Sequence, residues 1–172
     1  MIIAVDVQHR DDGATGAVVG FGEWTDGAAV FEAVHETAMA PHAYEPGAFF
    51  KRELPILLDL AAAARARGRV DTVVVDGHAW LDGGRPGLGA HLHRALGGPV
   101  VVGVAKTAFR NSGAAEVVRG GSVRPLYVTS AGVDKEVACA AVAAMHGVHR
   151  IPTLLAHVDR LARGIALPRR TE

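Results

Sequence analysis

Residues 70–78, VDTVVVDGH, constrain the fold more than any other stretch of the chain. The run of valines is the pattern of a strand buried on both faces, as happens where helices cover both sides of a parallel sheet. Asp76 stands where that strand should end. Gly77 permits a sharp exit, so the carboxylate is expected at the carboxyl edge of the sheet, where open α/β folds hold their ligands. An acid that merely ends a strand and caps a turn would read the same way in isolation.

The flanking sequence supplies the context. MIIAVDVQ reads as a first buried strand with Asp6 near its end, and HRDDGATG after it is dense in turn formers, so a hairpin should follow. AVVGFGEW and AAVFEAVHETA, separated by Thr25, Asp26 and Gly27, are expected to form two further strands joined by a tight turn. APHAYEPGA is a loop. From residue 49 to about 67 the apolar residues recur at helical spacing, with Pro55 in or near the first turn or else kinking the helix. After VDTVVVDGH come a glycine-rich loop, AWLDGGRPGLG, and a short helix around AHLHRAL. PVVVGVAKTAF then gives another buried strand, with Lys106 at its end. Short strands at 115–118 and 125–129 flank the turn RGGS, and DKEVACAAVAAMHG and TLLAHVDRLARG read as amphipathic helices. Residues 165–172 form a basic tail expected to fray.

Three strands in meander order, then helix, strand, helix and strand, outline an α/β protein whose mixed sheet is flanked by helices. In the ribonuclease H-like arrangement of such a sheet the first strand is central and the next parallel strand lies beside it. Asp6 and Asp76 then become neighbours. Two crowded carboxylates repel each other, and a divalent cation between them relieves the repulsion. Mg²⁺ takes hard oxygen ligands, so a third acid is sought. Glu53, early in the first helix, is the candidate; its alternative is a solvated glutamate paired with Lys51 or Arg52. No glycine-rich dinucleotide fingerprint opens a helix here.

At 172 residues the chain fits one domain, spanning 1–172, with a core large enough to need no disulfide. Cys139 is the only cysteine. The first residues lack a basic leader, so a cytoplasmic protein with no membrane anchor is expected. Eighteen basic and eighteen acidic residues cancel. A nucleic-acid partner would therefore be held by a local patch and bound cations rather than by overall charge.

VDVQ, YEPG followed by RELP, VDGH, GVAKT, LYVTSAG and IPTLLAHV, in that order, resemble the successive motifs of endonuclease V, a repair nuclease acting on deaminated purines, chiefly inosine. The resemblance runs from the first strand to the last helix. It implies the ribonuclease H-like fold and a Mg²⁺-dependent phosphodiester hydrolase, with Mn²⁺ as a substitute, acting on a DNA or RNA strand. It also implies metal-binding carboxylates at Asp6, Glu53 and Asp76, assisted by the strand-end Lys106 and by His157. Tyr44, with Pro46, matches the aromatic wedge that parts the strands beside the lesion. Gly77, His78, Gly83 and Gly84 would border the pocket for the extruded base.

This chain departs from the family pattern in places that bear on substrate rather than on metal. Ala43 and Glu45 replace a proline and an apolar residue of the wedge, and Asp82 and Gly83 stand where a histidine and a proline usually follow VDGH. SAGVDK replaces a basic turn and leaves Lys135 as its phosphate contact. A non-catalytic nucleic-acid-binding relative and another ribonuclease H-like nuclease are the alternative readings, and oligomeric state is left open.

Overall fold

The computed structural model describes residues 1–38 and 50–165. Tyr44 and Pro46, on which the expected wedge depends, lie outside the described residues, as do Ala43 and Glu45. The chain opens with β1 (Ile2–Arg10), turns at once into β2 (Gly13–Phe21), and adds β3 (Phe31–Thr37) as an antiparallel meander. After α1 (Phe50–Arg65), β4 (Thr72–Asp76) enters beside β1 and parallel to it. There follow α2 (Leu88–Leu96), β5 (Val100–Ala105), β6 (Ala115–Val117), β7 (Leu126–Ala131), α3 (Lys135–Ala144) and α4 (Thr153–Ala162). The seven strands lie in the order β3-β2-β1-β4-β5-β7-β6, a ribonuclease H-like mixed sheet flanked by helices.

Alternation along the strands sorts the core into two layers. Ile3, Val5, Val18, Val73, Val75 and Val101 face α1 and α2, where they meet Ile56, Leu57, Leu60, Leu92 and Leu96. Ile2, Ala4, Val19, Phe21, Val74, Val102 and Val104 face α3 and α4, meeting Val142, Leu154, Val158 and Ala162. Val73, Val74 and Val75 are each at most 2 % exposed. Each such burial stabilises the fold by about 1.5–3 kcal/mol, which is why the valine run is held at the centre of the sheet. The same parity decides where the acids go. Side chains at even positions of β1 and β4 point toward α3 and α4, so Asp6 and Asp76 continue the rows Ile2–Ala4 and Val74 on that side.

One local expectation is revised. The connection from β2 to β3 is not a tight turn. Instead the carboxylate Oδ2 of Asp26 accepts the backbone N–H groups of Gly22 and Glu23 at 3.0 and 2.9 Å, and Trp24 packs edge-on against Phe21. Such an Asx-type closure needs a longer loop than a hairpin turn. Pro55 lies inside α1, near its first turn. Among the described residues no helix is long and apolar enough to cross a membrane.

Candidate active site

β1, β4 and β5 run parallel, so their carboxyl ends reach one edge of the sheet together. Val5 is paired with Val75, and Asp76 with Val104. Asp6 and Asp76 therefore emerge side by side, with Lys106 just beyond the next strand. The exit of β4 is fixed by close packing. Gly77 adopts φ +134°, open to glycine, and the chain then crosses β5 at Gly103. A Cβ on Gly103 would lie 2.6 Å from the Gly77 carbonyl oxygen and 2.8 Å from the Ala79 nitrogen. Ala79 N–H donates to the Thr129 hydroxyl at 2.7 Å, and the Trp80 indole donates to the Ser130 carbonyl at 2.7 Å. Both bonds pin the loop to β7.

On the side toward which Asp6 and Asp76 point, α4 contributes Asp159. One oxygen from each of Asp6, Asp76 and Asp159 lies within 4.8 Å of the other two. Lys106 Nζ donates to Asp76 Oδ2 at 2.8 Å and stands 3.5 Å from Asp159 Oδ1. The Arg163 guanidinium grips Asp159 with two bonds, Nε to Oδ2 at 2.9 Å and Nη2 to Oδ1 at 3.1 Å. The approach of α4 is set by two other arginines. The Arg119 guanidinium donates to the carbonyls of Met145, Gly147, His149 and Arg150, while Arg150 donates to those of Lys106 and Pro125. The segment leading into α4 is thus tied to β6 and to the end of β5.

The acids remain under-compensated by these cations. Burial, then the charge of Asp76, pushes the Asp6 carboxyl up to about 6. Glu53, on α1 across the sheet edge, is 7 % exposed, and burial followed by the charges of Asp6 and Asp76 raises it to about 8. It shares a 3.3 Å hydrogen bond with the His9 ring. Burial alone would lower the Lys106 ammonium, but its hydrogen bond to Asp76 and the charges of Asp76, Asp159 and Asp6 outweigh that and raise it. Three hard oxygen donors in so small a space fit a divalent cation.

Above the acids opens a cavity of about 710 Å³ whose walls include Asp6, Glu53, Asp76, Gly77, His78, Arg85, Phe109 and Arg163. His78 shares a hydrogen bond with the Thr107 carbonyl at 3.1 Å and tilts against Phe109, whose ring is 41 % exposed. Phe50 stacks on His91 beside it.

Of the residues expected from sequence, Asp6, Asp76 and Lys106 converge, and Glu53, Gly77 and His78 border the same cavity. Glu53 is not in the three-acid group. His157 is elsewhere: it is buried, and its Nε2 pairs with Glu32 of β3 at 2.7 Å. Two residues along an α-helix turn the side chain by roughly 200°, so His157 and Asp159 cannot both face the acids. Lys135 donates to the Gly113 carbonyl at 3.0 Å and does not line the cavity. Gly83 and Gly84, both at positive φ, form a 3₁₀ turn, with Asp82 at its start, outside the cavity wall. Asp159 and Arg163 were not anticipated. Their only signal is the placement of VDRLAR around the apolar stripe of the last helix.

A family model described as Endonuclease V matches residues 1–152. No match was found among curated protein sequences. Among solved structures, endonuclease V from Streptomyces avermitilis superposes with a TM-score of 0.77 at 27% identity, covering 95% of this chain and 79% of that one. The catalytic domain of human endonuclease V gives 0.75 at 22% identity, with 95% and 80% covered. Ciona intestinalis endonuclease V, in complex with a 24mer DNA containing an inosine followed by a ribo-adenosine, gives 0.79 at 15% identity, with 95% and 84% covered.

Proposed function

The chain belongs to the endonuclease V family, and we propose that it is a metal-dependent endonuclease hydrolysing a phosphodiester 3′ of a deaminated base, inosine, in a DNA or RNA strand. The observation that carries this reading is the convergence of Asp6, Asp76 and Asp159 within 4.8 Å beside Lys106, on the floor of an open cavity.

Asp6, Asp76 and Asp159 would hold Mg²⁺, or Mn²⁺ in its place. When bound, the ion supplies charge to the attacked phosphate and acidity to a water molecule. Lys106 stands at the rim of the acids, where its ammonium can neutralise a phosphate oxygen in a partly water-excluded site. Glu53 reaches the same cavity from α1 and orients water there, its hydrogen bond to His9 holding the side chain in place. Gly77 and His78, at the exit of β4, offer backbone and ring edges to an extruded base, and the exposed Phe109 ring offers a face for stacking. Tyr44 and Pro46 retain the role of a wedge, and Lys135 that of a phosphate contact. Asp159 takes the metal-binding place that the sequence gives to Glu53.

The test is cleavage of end-labelled DNA and RNA strands carrying one inosine, with Mg²⁺ or Mn²⁺. Nicking on the 3′ side of the inosine, abolished in Asp6→Ala and Asp76→Ala, is expected. No cleavage by the parent with Mn²⁺ supplied, or full activity in either variant, overturns the reading; binding without cleavage points to a non-catalytic relative.

A further inference from the structure

Both oxygens of Asp159 accept a hydrogen bond from Arg163. Arg163 takes one through Nε and the other through Nη2, in the fork geometry that makes arginine–carboxylate pairs strong, and Lys106 stands 3.5 Å from the second. A cation shared with Asp6 and Asp76 needs at least one of those oxygens. Each oxygen keeps a lone pair beside Arg163's bond, so the ion does not block that bond outright, but a divalent charge on the carboxylate repels the guanidinium and weakens its hold.

Its position makes that release useful. Arg163 is the cap residue of α4, its side chain is 50% exposed, and it forms part of the wall of the cavity above the acids. Its carbonyl is held by Arg10 at 3.3 Å, so the guanidinium can turn while the backbone stays. The charges also balance in two stages. The carboxylates of Asp6, Asp76 and Asp159 face the cations Lys106 and Arg163, which leaves one negative charge. A divalent ion converts it to one positive charge, the complement of a single phosphodiester.

We propose that Arg163 is an exchangeable cation: it holds Asp159 in the metal-free site and turns to a phosphate of the bound strand once a divalent ion takes that carboxylate. This deepens the nuclease reading and rests on it for the identity of the strand. An ordinary i,i+4 helix pair would stiffen the end of α4 and do nothing else.

The experiment compares the parent chain with Arg163→Gln and Arg163→Lys. Calorimetry with Mn²⁺ alone reads the competition: Arg163→Gln should bind the ion roughly fivefold more tightly, because the ion no longer displaces an ion pair. Binding of an inosine-containing strand in Ca²⁺ reads the second role. There Arg163→Gln should be roughly tenfold weaker, with a salt slope smaller by about 1, and KM should rise more than kcat falls. Arg163→Lys keeps the charge without the fork and should recover most of the strand affinity. Unchanged or weakened Mn²⁺ binding in Arg163→Gln overturns the inference, as does unchanged strand affinity. If the Mn²⁺ shift and the strand-affinity loss appear but the parent cuts no inosine-bearing strand, the nuclease reading has failed and the exchange has not. A parent that binds no Mn²⁺ overturns both.

Discussion

Lys106 Nζ donates to Asp76 Oδ2 at 2.8 Å across the gap between two parallel strands, so the end of β5 supplies a cation to the acid at the end of β4. Replacing Lys106 by Met removes the charge and keeps the bulk. Cleavage in single-turnover assays should fall roughly 100-fold, the usual effect of losing one charge-stabilising donor. Mn²⁺ binding by calorimetry should be retained, since the three carboxylates are untouched. Parallel losses of metal and activity would mean that Lys106 only organises the acids.

The raised carboxyls make stability depend on pH with a definite sign. Asp6 at about 6 and Glu53 at about 8 hold protons in the folded state that the unfolded chain, at 3.8 and 4.5, releases. Their contribution is fully present below about pH 4 and is lost as pH rises through 6 and 8. The metal-free protein should therefore lose stability, on the order of 5 kcal/mol, between pH 5 and pH 8.5, measured by urea unfolding. Saturating Mg²⁺ should flatten the profile. A metal-free protein that becomes more stable over that range would contradict the burial and crowding of these two groups.

Asp159 and His157 lie on different sides of one helix and separate two explanations of activity. Asp159→Asn should abolish detectable Mn²⁺ binding and lower cleavage by roughly 100-fold or more. His157→Gln removes a bond to a half-exposed glutamate and should cost about 1 kcal/mol of stability, leaving cleavage within a few-fold of the parent. The reverse pattern would put His157 at the acids.

Gly103→Ala tests the crossing over β5. The added methyl would meet the Gly77 carbonyl oxygen and the Thr129 hydroxyl at 2.6 Å each, so the loop after β4 must move. A loss of about 2 kcal/mol in denaturant unfolding is expected, with cleavage reduced beyond what the remaining folded fraction explains, because Asp76 moves with the loop.

Much of the framework was legible in the chain because its signals are local. Apolar runs ending near Asp6, Asp76 and Lys106 identify three buried strands and what stands at their ends, and the expected strand order makes the two acids neighbours; the register of Val5 with Val75 then puts them on one side of the sheet. Asp159 was not legible. Its place depends on the rotation of α4 about its own axis, which is set by the packing of Leu154, Val158 and Ala162 and by the arginine-bound carbonyls before the helix. His157, which the family motif singles out, sits on the same helix, and residue type gives no rotation. Glu53 was placed near the acids from its position early in α1, yet that helix covers the opposite face of the sheet from the one Asp6 and Asp76 address, so it reaches the cavity without joining them. The β2–β3 connection looks like a short turn in sequence because Asp26 closes it through its side chain, an interaction that leaves no spacing signal.

The three acids come from the first strand, from a strand in the middle of the chain and from the last described helix. β1 and β4 bring Asp6 and Asp76 together by strand pairing, whereas the third oxygen comes only from the docking of α4. The last described helix therefore does two jobs at once: it closes one core layer over the sheet and brings the acid that completes the centre.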